Sequence, residues 1–193
     1  MSGRELRIGL TGLMASGKGE VVRILKKYGF QYISLSDIVR GEAAKINSTI
    51  SRSQMQDLGN RLRQEGGAGI LGKKVREFID AAEPSRWVID GIRNPAEVQE
   101  LKKMAGFLLI GIETEVAIVL ARLKARGRAT DAVSEAEMRT SLEREWGNGE
   151  PADGQQVGRC LALADFTLPN NGTLAELKSG LNTVLKKIGA GNE

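Results

Sequence analysis

Apolar positions along the chain switch between a strand-like run and a helical period, and each switch marks an element. Residues 5–11 (ELRIGLT) form an apolar, β-prone run, and after a glycine-rich segment residues 20–28 (EVVRILKKY) repeat their apolar positions at helical spacing. A strand, a loop and a helix are therefore predicted in that order. Residues 31–35 (QYISL) read as a second short strand, with Ser36-Asp37 as an N-cap pair for a helix through Ala44. Residues 47–82 are helical and polar, broken near Gly66, Gly67 and Gly69, and predict an insertion of two helical segments. Residues 86–90 (RWVID) make a third strand, followed by a helix over 94–104 opened by Pro95. Residues 107–112 (FLLIGI) are the most apolar strand, followed by a helix to Arg126. Capping-box patterns at Ser134/Glu137 and Thr173/Glu176 start two further helices, the second ending near Ile188. Between them lie a Gly/Asp/Pro-rich loop (147–154) and a fifth strand at 165–168 (DFTL).

Strands separated by helices imply parallel pairing with right-handed crossovers, hence an α/β three-layer sandwich around a five-stranded parallel sheet. Unbroken apolar character places FLLIGI at the centre, covered on both faces. Ligands bind at the carboxyl ends of strands in such sheets, which here are Thr11/Gly12, Leu35/Asp37, Asp90/Gly91 and Glu113/Thr114. A chain of 193 residues fits one domain. No apolar run approaches the roughly 18 residues that span a bilayer, and the first residues lack a secretory apolar segment, so a cytoplasmic location is expected. One cysteine, Cys160, and no histidine exclude zinc clusters and histidine-based triads. A net charge of +4 and a pI near 9.3 suit anionic partners. Only 4% of residues are aromatic, which favours phosphorylated small molecules over an extended nucleic-acid platform.

Gly12, Gly17 and Lys18 satisfy G-x-x-x-x-G-K within GLMASGKG, where backbone N–H groups converge on phosphate oxygens and lysine adds a mobile charge. The candidate cradle includes Ala15 and Ser16, and the helix beginning at Gly19 contributes its dipole. The same spacing recurs at Gly67, Gly72 and Lys73, but no strand feeds it, so it is read as a helix-breaking glycine cluster. Where a Ser/Thr ligating Mg²⁺ is usual, this chain has Gly19, then Glu20. Glu20 either holds metal-bound water or is simply a carboxylate favourable in a first helical turn.

Phosphoryl transfer between two polyanions needs cations converging from several elements and a carboxylate for metal or proton handling. Asp37 and Arg40 share one helix face after the second strand, as a site pair or a surface ion pair. Asp90, Gly91 and Arg93 (DGIR) bring a carboxylate and a guanidinium to the third strand's end, with capping of the next helix as the alternative for Asp90. Arg122, Arg126 and Arg128 (RLKARGR) present a basic face late in one helix and in the turn beyond, with Arg139 and Arg144 on the next.

These residues resemble the P-loop kinases of the nucleoside monophosphate kinase type and their dephospho-coenzyme A kinase and nucleotide kinase relatives, nearly end to end. GLMASGKG is similar to the adenylate-kinase-type loop, in which glycine also follows the lysine. SLSDIVR resembles the segment opening the monophosphate lobe, and DGIR resembles DGFPR without its proline. The resemblance implies ATP and Mg²⁺, with Lys18 on the transferred group, Arg40 and Arg93 on the acceptor phosphate, and Asp90 on metal water. It implies lid arginines at Arg122 and Arg126, and Asn171 and Gly172 near adenine. It divides one domain into a core (1–36, 85–126, 155–193), an acceptor lobe (37–84) and a lid (127–154). The expected reaction is γ-phosphoryl transfer to a (deoxy)nucleoside monophosphate. Three alternatives stay open: a dephospho-coenzyme A kinase with Asp37 as base, a kinase acting on a nucleotide within nucleic acid, and a regulatory module without transfer.

Overall fold

In the computed structural model, which describes residues 5–45, 51–82, 86–127 and 134–190, the first apolar run forms β1 (Leu6–Thr11) and passes through the glycine loop into α1 (Lys18–Lys27). β2 (Gln31–Ser34) leads directly into α2 (Leu35–Lys45). The Ser36-Asp37 cap is thereby corrected: both residues lie inside the helix, and Ser34 Oγ, two residues before Ser36, accepts its N–H at 3.1 Å. Leu35 is 1% exposed, and drawing it into the core pulls the helix start forward. The polar stretch forms α3 (Arg52–Gly66) and α4 (Ile70–Asp80), parted by Gly67 and Gly69. The second glycine-lysine match thus spans a helix start, and Gly72 lets α4 lie against the Glu97 backbone, 2.8 Å from where a Cβ would sit.

β3 (Arg86–Ile92) runs two residues past Asp90, so the expected strand end there is also corrected. Thr11 still finds a parallel partner in Ile92, across a register shift in which β3 carries one residue more than β1, and the sheet continues through the DG pair. Asn94, not Asp90, caps α5 (Pro95–Leu101), with Glu97 closing the box. Then follow β4 (Phe107–Glu113), α6 (Val116–Arg126), α7 (Glu135–Trp146), α8 (Val157–Ala162), β5 (Phe166–Pro169) and α9 (Leu174–Lys187). Both predicted capping boxes form; the short α8 is additional.

The five strands are parallel in the order β2-β3-β1-β4-β5. Side chains alternate across the sheet. Leu6, Ile8, Leu10, Val88 and Ile110 pack under α1 and α9, whereas Trp87, Ile89 and Leu109 pack under α2, α4, α5 and α8. A third cluster joins the loop residues Leu13 and Met14 to α6, α7 and α8, above the carboxyl ends of the strands. Among the described residues no helix is long and apolar enough to cross a membrane.

Cys160 of α8 is fully buried beside Thr11 at the foot of the loop. Burial, then the Glu97 carboxylate, push its thiol up to about 12. The thiolate is the reactive form, so a disulfide reagent at pH 8 is expected to leave the native protein unmodified and to label it at once in urea. Because the thiol's ordinary value is 9.0, the contribution of Cys160 to stability is complete below about pH 9 and is lost as pH rises toward 12.

Candidate active site

Strand β1 ends at Thr11, fully buried, and the chain must then turn sharply beneath β4. Gly12 permits this with φ 140°, in a place where a Cβ would run into the Ile112 carbonyl oxygen. Ala15 (φ 57°) and Gly17 (φ 109°) also take left-handed backbone, and Gly17 is the N-cap of α1. Successive N–H groups in such turns face one concavity, and the helix dipole reinforces it. Lys18 Nζ donates to the carbonyls of Gly12 at 2.6 Å and Leu13 at 2.8 Å. Gly19 opens on free space, and Glu20 pairs with Arg23 at 2.6 Å.

The back of the loop is held at Ser16, whose carbonyl accepts from Asn170 Nδ2 at 2.7 Å and Thr114 Oγ1 at 2.9 Å. Arg122 of α6 lies against the same place, donating from Nη2 to the Asn170 carbonyl at 3.0 Å and from Nη1 toward the Ser16 carbonyl at 3.5 Å. Ser16 Oγ is buried with no hydrogen-bond partner. Arg126 follows Arg122 one helical turn later; Arg128 lies outside the described residues. Asn171 joins Glu115, its Oδ1 accepting the Glu115 N–H at 2.9 Å, and Gly172 is exposed beside Glu176.

On the other side of the cleft, Arg40 and Asp37 form an exposed ion pair at 2.6 Å. Asp90 accepts the Gly91 N–H at 2.7 Å. Burial and then the Asp90 carboxylate push the Tyr32 phenol up, with Asp37 adding to this and Arg40 opposing it, so the four side chains share one field. Arg93 is the best anchored of the cations. Its Nη1 donates to Ser36 Oγ at 3.2 Å and the Gly91 carbonyl at 3.1 Å, and its Nε to Glu145 Oε1 at 2.9 Å. Burial would lower its basicity, but Glu145, with Asp90 and Glu97, outweighs this and raises it.

Sequence reasoning missed the supports of both halves. Glu145 of α7 is fully buried, and its Oε2 accepts the Met14 N–H of the loop at 2.6 Å. Glu97 is equally buried: Oε1 pairs with Arg63 of α3 at 2.8 Å, and Oε2 accepts the N–H groups of Arg93 and Asn94. Gln56, Asn60 and Arg63 are buried at i, i+4, i+7 on α3, a polar stripe whose helical spacing is the signal that the sequence carries. From that stripe Asn60 Nδ2 reaches Glu150 at 2.5 Å and Gln56 Nε2 the Ser141 carbonyl at 3.4 Å, while Arg144 ties Glu150 (2.9 Å) to Asp57 (2.8 Å).

The left-handed loop, the helix N-terminus and the lysine fit a polyphosphate. Among the described residues no group of three or more acidic, Cys or His side chains could hold a metal alone. Magnesium keeps several waters and binds through phosphate oxygens with one or two carboxylates.

A family model described as an AAA domain matches residues 11–139. A UPF0200 protein of Sulfurisphaera tokodaii is 31% identical over 181 residues, covering 94% of this chain and 96% of that one. TT1252 from Thermus thermophilus matches with a TM-score of 0.60 at 18% identity, over 95% of this chain and 98% of its own. Shikimate kinase from Bacteroides thetaiotaomicron matches with a TM-score of 0.58 at 12% identity, over the same shares.

Proposed function

Because this chain belongs to the AAA-domain family and to the UPF0200 proteins within a P-loop kinase fold, we propose that it transfers the γ-phosphoryl of ATP to a (deoxy)nucleoside monophosphate. One observation carries the reading: a phosphate loop and an anchored arginine from a different strand end are tied to the same carboxylate, Glu145. A hydrolase needs one anion site, whereas a transferase needs two at fixed separation.

In this mechanism the loop N–H groups and Lys18 hold the donor phosphates, and Lys18 follows the charge that develops on the transferred group. Arg93, with Arg40 at the rim, orients the acceptor phosphate for in-line attack. Asp90 would hold Mg²⁺ through its bound water, and the ion would supply neutralisation of the phosphate charge. Arg122 keeps the loop in shape from behind. The direct test incubates the protein with ATP, Mg²⁺ and each of the (deoxy)nucleoside monophosphates, dephospho-coenzyme A and shikimate. ADP formation that depends on a monophosphate supports the reading; ATP binding without acceptor-dependent ADP would end it.

A hydroxyl acceptor is the second reading, favoured by Asp37, an exposed carboxylate just past the end of β2 that pairs with Arg40. A monophosphate is already ionised and needs no base, so Asp37→Asn is expected to cost less than about tenfold in kcat. Near-complete loss would instead assign Asp37 as the base toward a hydroxyl, the chemistry of a dephospho-coenzyme A kinase.

A further inference from the structure

We propose that Glu145 is the positioning residue of this site, holding the donor loop and the acceptor arginine at one fixed separation; this rests on the kinase reading above. A fully buried carboxylate among groups that bind anions opposes phosphate binding by its charge, so its presence needs another reason. Its geometry supplies one. Oε2 takes the Met14 N–H at 2.6 Å and Oε1 takes Arg93 Nε at 2.9 Å, so each oxygen holds one half of the site. The β1–β3 ladder sets the two strand ends side by side, with Thr11 opposite Ile92, and beyond that ladder Glu145 ties the residues that follow, Met14 and Arg93.

The surroundings keep the carboxylate in place. Arg93 is gripped on its other side by Ser36 and Gly91, its carbonyl accepts the Gln156 N–H at 2.6 Å, and its N–H is held by Glu97. The guanidinium therefore has little freedom except through Glu145. Nε on Glu145 and Nη1 on Ser36 and Gly91 fix the plane of the guanidinium, and that plane decides where Nη2 is aimed toward a phosphate. Misplacement by about 1 Å can cost on the order of a hundredfold in rate.

Glu145→Gln tests this, because glutamine has the same shape but one acceptor oxygen, and its amide N–H₂ must face one of two donors. The variant is expected to raise the acceptor KM about tenfold and lower kcat about a hundredfold. The affinity for a fluorescent ATP analogue should stay within about threefold, since the loop is also held through Ser16. A merely structural role would reduce the amount of active protein and leave KM unchanged, and that result would overturn the proposal. Glu145→Asp keeps the charge but is one methylene short of spanning both partners. It is expected to show the same KM defect, and a wild-type KM in a folded Glu145→Asp would also overturn the proposal.

A readout without turnover separates this proposal from the kinase reading itself. With ADP on the loop, inorganic phosphate is titrated as the simplest mimic of the acceptor's phosphoryl group. Binding is followed by the emission of Trp146, the exposed neighbour of Glu145. Glu145→Gln should weaken phosphate binding about tenfold, whether or not the wild type turns over any acceptor. Equal affinity in the two proteins overturns the inference; a tenfold loss with no turnover upholds it while removing the kinase assignment.

Discussion

Lys18→Ala is expected to lower phosphoryl transfer about a thousandfold, on the order of 4 kcal/mol of transition-state stabilisation. The lysine is the one side chain of the loop that can follow charge as it moves from donor to acceptor. Its Nζ is poised over the loop, bonded to the Gly12 and Leu13 carbonyls. The variant loses the ammonium donor to both carbonyls but also relieves the burial of its charge, so urea denaturation is expected to register only a modest shift. Single-turnover measurements with ATP and the acceptor found in the screen would check the rate. A variant within tenfold of wild type would show that the loop binds nucleotide without driving transfer, and would favour a regulatory module.

The largest loss of stability is expected at the Arg63–Glu97 pair. Both side chains are essentially out of water, at 3% and 0% exposure. Removing one member of such a pair leaves the other charged and buried, at a cost of about 3–5 kcal/mol. That is a large part of the roughly 5–15 kcal/mol that a domain has in total. Arg63→Ala strands only Oε1 of Glu97, because Oε2 keeps the N–H groups of Arg93 and Asn94. Glu97→Ala strands Arg63 and both backbone donors, so it is expected to be the worse of the two. Denaturant midpoints and slopes would measure both; a loss below about 1 kcal/mol for Arg63→Ala would mean that water reaches the pair.

Much of this fold could be read from local patterns. Strand and helix periods, the glycine loop and the capping boxes each lie within a few residues, and the parallel sheet follows from their alternation. The misreadings have a common cause. Asp90-Gly91 reads as the end of β3 because both residues disfavour strands, yet parallel pairing of Thr11 with Ile92 carries β3 through them. Six-residue α8 has too few turns to show a period. Its buried Val157 and Cys160 find their partners elsewhere in the chain, Val157 among the loop, α6 and α7 and Cys160 against the sheet.

The same division holds for the candidate site. Groups that would touch phosphate announce themselves by composition, as Lys18 and the glycines do. Those that hold the site together do not, because their meaning lies in distant partners. Glu145 sits in EREWGNG, which reads as a solvated charged helix face, and only the fold brings Met14 to it across 131 positions. Asn170 and Asn171 are adjacent and chemically alike. The structure sets Asn170 against the back of the loop and Asn171 against Glu115.

The polar stripe of α3 has a mechanical consequence. Through Gln56, Asn60 and Asp57 it is buttoned to α7 and the turn after it at several points. Helix α3 and helix α7 with the turn after it therefore share one wall, and displacing either of them alone would undo those bonds.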